Sequence, residues 1–338
     1  MLESLLSQPA ADQAEIIRAI SAQAGRSAVV LEKDLWVCWV LRALFEMPGR
    51  KRMVFKGGTS LSKVFAAIDR FSEDIDLTID YRELDPDANP FADGLSNSQR
   101  DRVREHLGKY LAEYLQSVVA PYLRETLARQ YGGEAPTVAV GEDGEKLTVS
   151  IRSQLAGARA YVRDGVLLEF GGRNVIEPHQ QHTIQPYLSG HLDTLELPSA
   201  TIDVLAPERT FWEKATLVHA ECNGRNTAIK GVGRLSRHWY DLSRLANHDI
   251  GAKALANRYL LVDVVNTKKV IYRSAKAQYD DCTSGRMRLI PGGELLDALH
   301  EDYRAMIVAG MFEGLAPPFD EIVTQLKELE QAINVVTN

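Results

Sequence analysis

The chain has no long apolar run. The longest near its N-terminus, residues 35–45, is broken by Arg42 and falls well short of the about 20 residues that a bilayer core demands. The opening stretch MLESLLSQPAADQAE lacks the basic start and continuous apolar centre of a secretory signal, so the expected location is the cytoplasm. Cysteine is scarce. Cys38, Cys222 and Cys282 are odd in number and far apart, which excludes a disulfide framework and a cysteine-based zinc pattern. His179, His182 and His191 match no ordinary zinc spacing, and their Pro- and Gln-containing surroundings read as loop. Nor is there an overall basic excess. With 39 Lys/Arg against 46 Asp/Glu, the formal charge of −7 argues against indiscriminate nucleic-acid binding. No internal repeat or low-complexity tail is present. What remains is 338 residues of ordinary globular composition, enough for two domains and a substantial core.

Residues 54–80, VFKGGTSLSKVFAAIDRFSEDIDLTID, organise the rest. They read as an apolar strand, a turn at Gly57-Gly58, a short helix over about Ser60–Asp69, and a second strand carrying Asp74-Ile75-Asp76. Strand side chains alternate, so Asp74 and Asp76 share a face while Ile75 and Leu77 point to a core. Two carboxylates that close repel unless a cation lies between them, and a hard divalent ion with oxygen ligands, Mg²⁺ above all, relieves this. The glycine turn exposes backbone N–H groups at a helix start, which favours phosphate. Phosphate cradle and carboxylates together point to a nucleoside triphosphate. A solvated acidic strand end is the plain alternative.

The wording GGTSLSKVF…RFSEDIDL closely resembles the first motif of the AbiEii/AbiGii-type nucleotidyltransferases, toxin halves of bacterial toxin–antitoxin and phage-defence pairs. That family lies in the DNA polymerase β-like nucleotidyltransferase superfamily. The resemblance, spread over about residues 30–245, implies an α/β (α+β) fold: a mixed sheet bearing the carboxylates and a mostly helical C-terminal half. It implies domains at 1–205 and 206–338. It also implies transfer of an NMP from an NTP, with Mg²⁺ or Mn²⁺ on Asp74 and Asp76 and the outer phosphates on Gly57, Gly58, Thr59 and Ser60. Ser72 matches a serine of related toxins that touches phosphate. In some members the acceptor is tRNA, and the antitoxin need not bind the toxin. Transfer to a protein or small molecule, or nucleotide binding without turnover, are the rival readings.

Elsewhere the chain alternates helix and strand signals. Residues 9–24 and 28–46 read as helices; Glu32-Lys33-Asp34, which also resembles the family, reads as capping and structural. A polar loop over 85–98 precedes a long helix, 99–130, that Pro121 kinks or divides. Residues 137–140 and 147–151 flank a hairpin signal at Glu142-Asp143-Gly144. Glu169, inside the apolar strand 166–170, is either an edge residue facing water or the superfamily's third metal carboxylate; Asp203, on the strand 201–205, competes for that role. Arg173 contacts phosphate or pairs with Glu169.

Pro207 starts a helix, PERTFWEKATLVHAEC, on which Lys214 flanks the buried stripe of Phe211, Ala215 and Val218. A lysine there either snorkels to solvent or meets an anion. Its place after Glu208-Arg209 resembles the family lysine that contacts triphosphate. The next helix, RLSRHWYDLSRLA, invites an Arg237–Asp241 pair four residues apart, whereas its resemblance to the last family motif makes Asp241 functional, positioning either the acceptor or Lys214. Residues 224–233 read as a flexible basic loop. Over 225–304, fourteen Lys/Arg face nine Asp/Glu, a local balance of +5 that permits an RNA-facing surface.

Overall fold

The computed structural model describes residues 4–131, 136–151, 153, 155, 165–224 and 233–335. The loop expected at 224–233 lies almost wholly outside the described residues. Two compact units emerge: Met1–Val64, Phe71–Asn89 and Ser96–Val204 form the first, and Phe65–Arg70, Pro90–Leu95 and Leu205–Asn338 the second. The second unit thus includes two short segments, 65–70 and 90–95, that precede residue 205.

In the first unit, α1 (Ala10–Ala24) buries Ala14, Ile17 and Ile20 and ends at Gly25, whose φ of +64° suits a residue without Cβ. Helix α2 (Ala28–Phe45) is capped by Ser27, whose hydroxyl accepts from the Val30 N–H at 3.3 Å. Capping is thus not the work of Glu32-Lys33-Asp34. Lys33 and Asp34 are instead buried, and each is paired. The Lys33 ammonium meets Glu73 at 2.6 Å, and Asp34 accepts from Lys63 and from the Tyr187 N–H at 2.7 Å. Burial alone would depress the Lys63 pKa, but Asp34 outweighs it and holds the ammonium above its ordinary value. Trp36, Trp39 and Tyr131 pack edge-on and tilted, with centroids 5.4–6.1 Å apart, and the Trp39 indole donates to the Gln130 carbonyl at 2.7 Å.

Strand β1 (Met53–Lys56) leads directly into α3 (Gly57–Lys63), and β2 (Ile75–Ile79) is followed by the single turn α4 (Tyr81–Leu84). Helix α3 therefore begins at the glycines and stops well before Asp69. Its early stop has a local cause: Ala66 has φ +48°, outside the helical region, and 65–70 belongs to the other unit. Helix α5 (Asn97–Tyr114) opens with a reciprocal capping box between Ser96 and Gln99. A π-helical segment, Leu115–Val119, then separates it from α6 (Ala120–Tyr131). Pro121 lacks an N–H and its ring crowds the preceding turn, which the wider π turn accommodates.

The remaining strands are β3 (Thr137–Val140), β4 (Lys146–Ser150), β5 (Val166–Gly171), β6 (His179–Ile184) and β7 (Ala200–Leu205). The sheet order is β3-β4-β5-β2-β1-β7-β6. It is mixed: β2 runs parallel to β5 and β1 parallel to β7, while β1/β2, β3/β4 and β4/β5 are antiparallel. Strand β6 corrects the loop expected around His179–His182. It is an edge strand, mostly exposed and polar on both faces, so no alternation betrays it.

The second unit is helical: α7 (Pro207–Cys222), α8 (Arg237–Ala246), α9 (Asp249–Ala256), α10 (Arg258–Ile271), α11 (Glu294–Val308) and α12 (Phe319–Asn334). Helix α8 starts at Arg237 because Asp302 holds the preceding turn, accepting from the N–H groups of Arg234 at 2.6 Å and Ser236 at 2.8 Å. Trp239 is fully buried and donates to the Leu289 carbonyl at 3.0 Å. Tyr240, Phe312, Tyr303 and Phe319 form a chain of ring contacts. Against this chain lies the segment 65–70: Arg70 bridges Phe312 in β fashion, the Asp69 N–H donates to the Tyr240 hydroxyl at 3.3 Å, and the Asp69 carbonyl accepts from Glu313 at 2.8 Å. No helix among the described residues is long and apolar enough to cross a membrane.

The buried pairs of α2 give a stability test. Asp34→Asn leaves the Lys63 ammonium, only 2% exposed, without its counter-ion. The expected loss is about 3 kcal/mol or more, read as a lower urea midpoint at unchanged slope. An unchanged midpoint would refute the role given to this pair.

Candidate active site

Two groups of charged residues stand out, one within each unit. In the first, the sheet register brings together carboxylates that lie far apart in sequence. Asp76 on β2 is the register partner of Glu169 on β5, and paired residues of adjacent strands face the same side. On the other flank Asp76 is opposite Lys56 of β1. Asp74 just precedes β2 and is buried at 8% exposure, its backbone carbonyl held by the Thr59 hydroxyl at 2.5 Å. Asp203 stands apart. Its neighbour Val204 pairs with Phe55, which puts Asp203 level with Val54 and two strands from β2, and its carboxylate lies 3.6 Å from Arg50. Of the two candidates, Glu169 is the one beside Asp76.

Gly57 explains why no side chain is tolerated at the turn. It has φ +82°, and a Cβ there would fall 2.0 Å from Asp76 Oδ2. The carboxylate of Asp76 therefore lies directly over the Gly57 backbone. Thr59 and Ser60 are less open than expected of a cradle. Both are buried, and their hydroxyls donate to the carbonyls of Asp74 and Gly57. Any contact with phosphate at Gly57, Gly58, Thr59 and Ser60 falls to backbone N–H groups. Ser72 is half-buried ahead of Asp74. Arg173 does not pair with Glu169. Its Nε donates to the Arg104 carbonyl at 3.0 Å and both Nη groups to Glu145, so it ties β5 to α5 and to the hairpin. Lys146 takes the place beside Glu169, at 3.1 Å.

These oxygens suit a divalent metal in kind. Among the described residues no three His, Cys, Asp or Glu side chains gather closely enough to hold an ion alone. That fits Mg²⁺, which takes one or two carboxylates and completes its shell with water and substrate phosphate.

The second group lies in the second unit and centres on Asp241, which is fully buried. Arg70 grips it with two hydrogen bonds, Nε to Oδ1 at 2.6 Å and Nη2 to Oδ2 at 2.7 Å, and Lys214 Nζ reaches Oδ2 at 2.8 Å. The choice between a snorkelling lysine and one facing an anion is thereby settled within the unit, since Lys214 is 7% exposed and its anion is Asp241. The expected Arg237–Asp241 pair is replaced by these contacts. Burial opposes charge on Asp241, yet Arg70 and Lys214 outweigh it and hold the carboxyl well below the usual carboxylate range. Lys214 is shifted down by burial, with Asp241 opposing and Arg70 and Arg237 adding to the shift. His238 is driven well below its ordinary value by burial and then by Lys214, and its Nδ1 is buried with no hydrogen-bond partner among the described residues.

Sequence reasoning missed Arg70. It sits in a stretch without helical or strand periodicity, and its only signal is its place in the motif RFSEDID. Within 225–304, Lys253 pairs with Asp249, Lys269 with Asp280 and Arg286 with Asp281, acids already counted in the balance of +5.

A family model described as nucleotidyl transferase AbiEii toxin, type IV toxin–antitoxin system, matches residues 39–325. Among curated proteins none matches the chain. Among solved structures the chain is similar to MenT4, a nucleotidyltransferase toxin from Mycobacterium tuberculosis, at 18% identity and a TM-score of 0.46, covering 96% of this chain and 99% of that one.

Asp241→Asn removes the negative charge that Arg70 and Lys214 share. The expected cost is about 3–5 kcal/mol, measured by urea unfolding at neutral pH. A carboxyl held below its unfolded pKa stabilises the fold above the ordinary carboxylate range and loses that contribution as pH falls through its folded value. The acid-side decline in stability should therefore be shallower in Asp241→Asn than in the parent. Parallel declines would refute the coupling.

Proposed function

Because the chain belongs to the AbiEii nucleotidyltransferase toxin family of type IV toxin–antitoxin systems, we propose that it moves an NMP from an NTP to a hydroxyl of RNA, tRNA above all. The observation that carries the reading is the register pair Asp76–Glu169, with Asp76 lying against Gly57 and Asp74 two residues ahead. Hard carboxylates beside a backbone turn without Cβ suit a metal-bound triphosphate, with one or two of them on the metal and water and phosphate completing its shell. Asp74, Asp76 and Glu169 would hold Mg²⁺ or Mn²⁺, which supplies charge neutralisation at the phosphates and a more acidic acceptor hydroxyl.

The chain's own groups do the rest. The backbone N–H groups of Gly57–Ser60 orient the outer phosphates, and the Ser72 hydroxyl adds a contact. Gly57 keeps the floor of the turn low enough for Asp76 to stay in place. Arg173, already committed to Glu145 and to the Arg104 carbonyl, serves as scaffold, and a phosphate would have to compete with that pair. Lys214 offsets the charge that leaves with pyrophosphate, and Asp241 holds Lys214. The new P–O bond forms from the acceptor oxygen as the bond to pyrophosphate breaks. RNA as acceptor is supported by the basic balance of 225–304, of which Arg234 and Arg237 are the residues we assign to it. A cognate antitoxin belongs to this reading, and it need not bind the toxin.

Each α-labelled NTP is to be incubated with the protein, total cellular RNA and Mg²⁺. Label should appear on RNA and vanish in Asp74→Ala and Asp76→Ala, whose folds are retained or slightly more stable without metal because carboxylate repulsion is relieved. Full labelling by Asp76→Ala would overturn the proposal. Glu169→Gln should lower turnover by about a hundredfold while Asp203→Asn stays near the parent. The reverse order would move the third carboxylate to Asp203. Label on protein with none on RNA would redirect the acceptor.

A further inference from the structure

Arg70 is a buried, ion-paired residue that the proposed chemistry leaves without a role. It is 3% exposed, and its guanidinium spans both oxygens of Asp241 in the fork-to-fork geometry that only arginine provides. The second oxygen is shared: Oδ2 accepts from Arg70 Nη2 at 2.7 Å and from Lys214 Nζ at 2.8 Å. A carboxylate gripped on both oxygens cannot rotate, so the place of the Lys214 ammonium is set by Arg70 through Asp241. The backbone is fixed as well, through the bridge from Arg70 to Phe312 and the Asp69–Tyr240 and Glu313–Asp69 hydrogen bonds. The guanidinium thus grows from an anchored segment of the same unit.

We propose that Arg70 is a positioning residue for the transfer reaction, holding Asp241 so that its shared oxygen keeps the Lys214 ammonium in one place and one orientation. This rests on the proposed function of Lys214. Among the charges that act on Lys214 are the carboxylate of Asp241 and the cations Arg70 and Arg237. Glu221 on the same helix is also buried; on the helices packed on α7, Lys253 pairs with Asp249 on α9, Asp263 of α10 pairs with Arg209, and Lys268 of α10 donates to the Glu213 carbonyl. Arg70 therefore also lowers the affinity of Lys214 for its proton, by charge repulsion across the shared carboxylate.

Arg70→Gln and Arg70→Lys decide the matter when compared with the parent and Asp74→Ala in the full chain. The assay is RNA labelling by an α-labelled NTP, followed from neutral pH into the lysine range. Arg70→Gln should lower kcat by about tenfold or more, with KM for NTP changed by less than about threefold. Its alkaline limb should move to higher pH, because a cation that depresses the Lys214 pKa is gone. Arg70→Lys keeps the charge and not the fork, so kcat falls while the limb stays near that of the parent. A merely structural role would lower kcat in proportion to the folded fraction seen by circular dichroism and leave the limb unmoved in both. That outcome overturns the inference, and so does an Arg70→Lys protein with the parental kcat, a result that stands even if Arg70→Gln fails to fold. The two readings fail separately. A parent protein with no Asp74-dependent labelling removes the proposed function, whereas Asp74-dependent labelling with a silent Arg70→Gln removes only the role of Arg70.

Discussion

The second unit depends on one buried carboxylate. Asp241 is sealed from water, and a charge in that position is tolerated only because Arg70 and Lys214 saturate it with three hydrogen bonds. The arrangement is a costly way to hold a fold together. Replacing a buried ion group by apolar residues of the same volume is often neutral or stabilising, while removing one member alone is not. Stability is therefore a poor reason for its presence, and fixing Lys214 is a better one. The same logic runs through the first unit, where Lys33–Glu73 and Lys63–Asp34 tie α2 to the residues that flank α3 and precede β2. Glu73 immediately precedes Asp74, so the first of these pairs anchors the loop that presents the carboxylates.

How much of this the sequence discloses depends on the range of the interaction. Local features are legible. Pro207 starts α7 and Pro121 marks the break in the long helix, because each acts on its own backbone within a turn. The spacing of Lys214 on α7 identifies a lysine that needs an explanation, though it cannot name the partner. Partners separated by 90 or 170 residues in the chain, such as Asp76 with Glu169 or Arg70 with Asp241, follow from sheet register and helix packing, which no local pattern encodes. Strand β6 escapes for a different reason. Periodicity reveals a strand only when one face is buried, and this one is wet on both.

The limits of α3 show how the longer-range order overrides a local reading. The residues after Lys63 are adequate helix formers, and a helix reaching Asp69 is the natural expectation from them. Yet the chain leaves the first unit at Phe65, takes a positive φ at Ala66 and pairs with the Phe312 strand segment before returning at Phe71. What offsets the lost helical turns is the backbone's pairing with Phe312 and its hydrogen bonds with Tyr240 and Glu313. The motif RFSEDID thus spans two duties: its arginine serves the second unit, and its aspartates serve the sheet of the first.

The contrast between the two charged groups bears on how each would work. Asp241 is closed, with every oxygen satisfied by strong buried contacts. Glu169 pairs with Lys146, and the two side chains are 38% and 46% exposed. A pair so wet is worth on the order of 1 kcal/mol or less, and salt weakens it further. A divalent cation held beside Asp76 would compete for the same oxygen at a greater electrostatic gain, since its charge is doubled. Lys146 can then release Glu169 at little cost. Asp203, whose contact with Arg50 is longer at 3.6 Å, is no harder to release, so availability does not separate the two acids. Register does, because Asp76 faces Glu169 across one strand spacing, whereas Asp203 lies two strands away and level with Val54, not with Lys56.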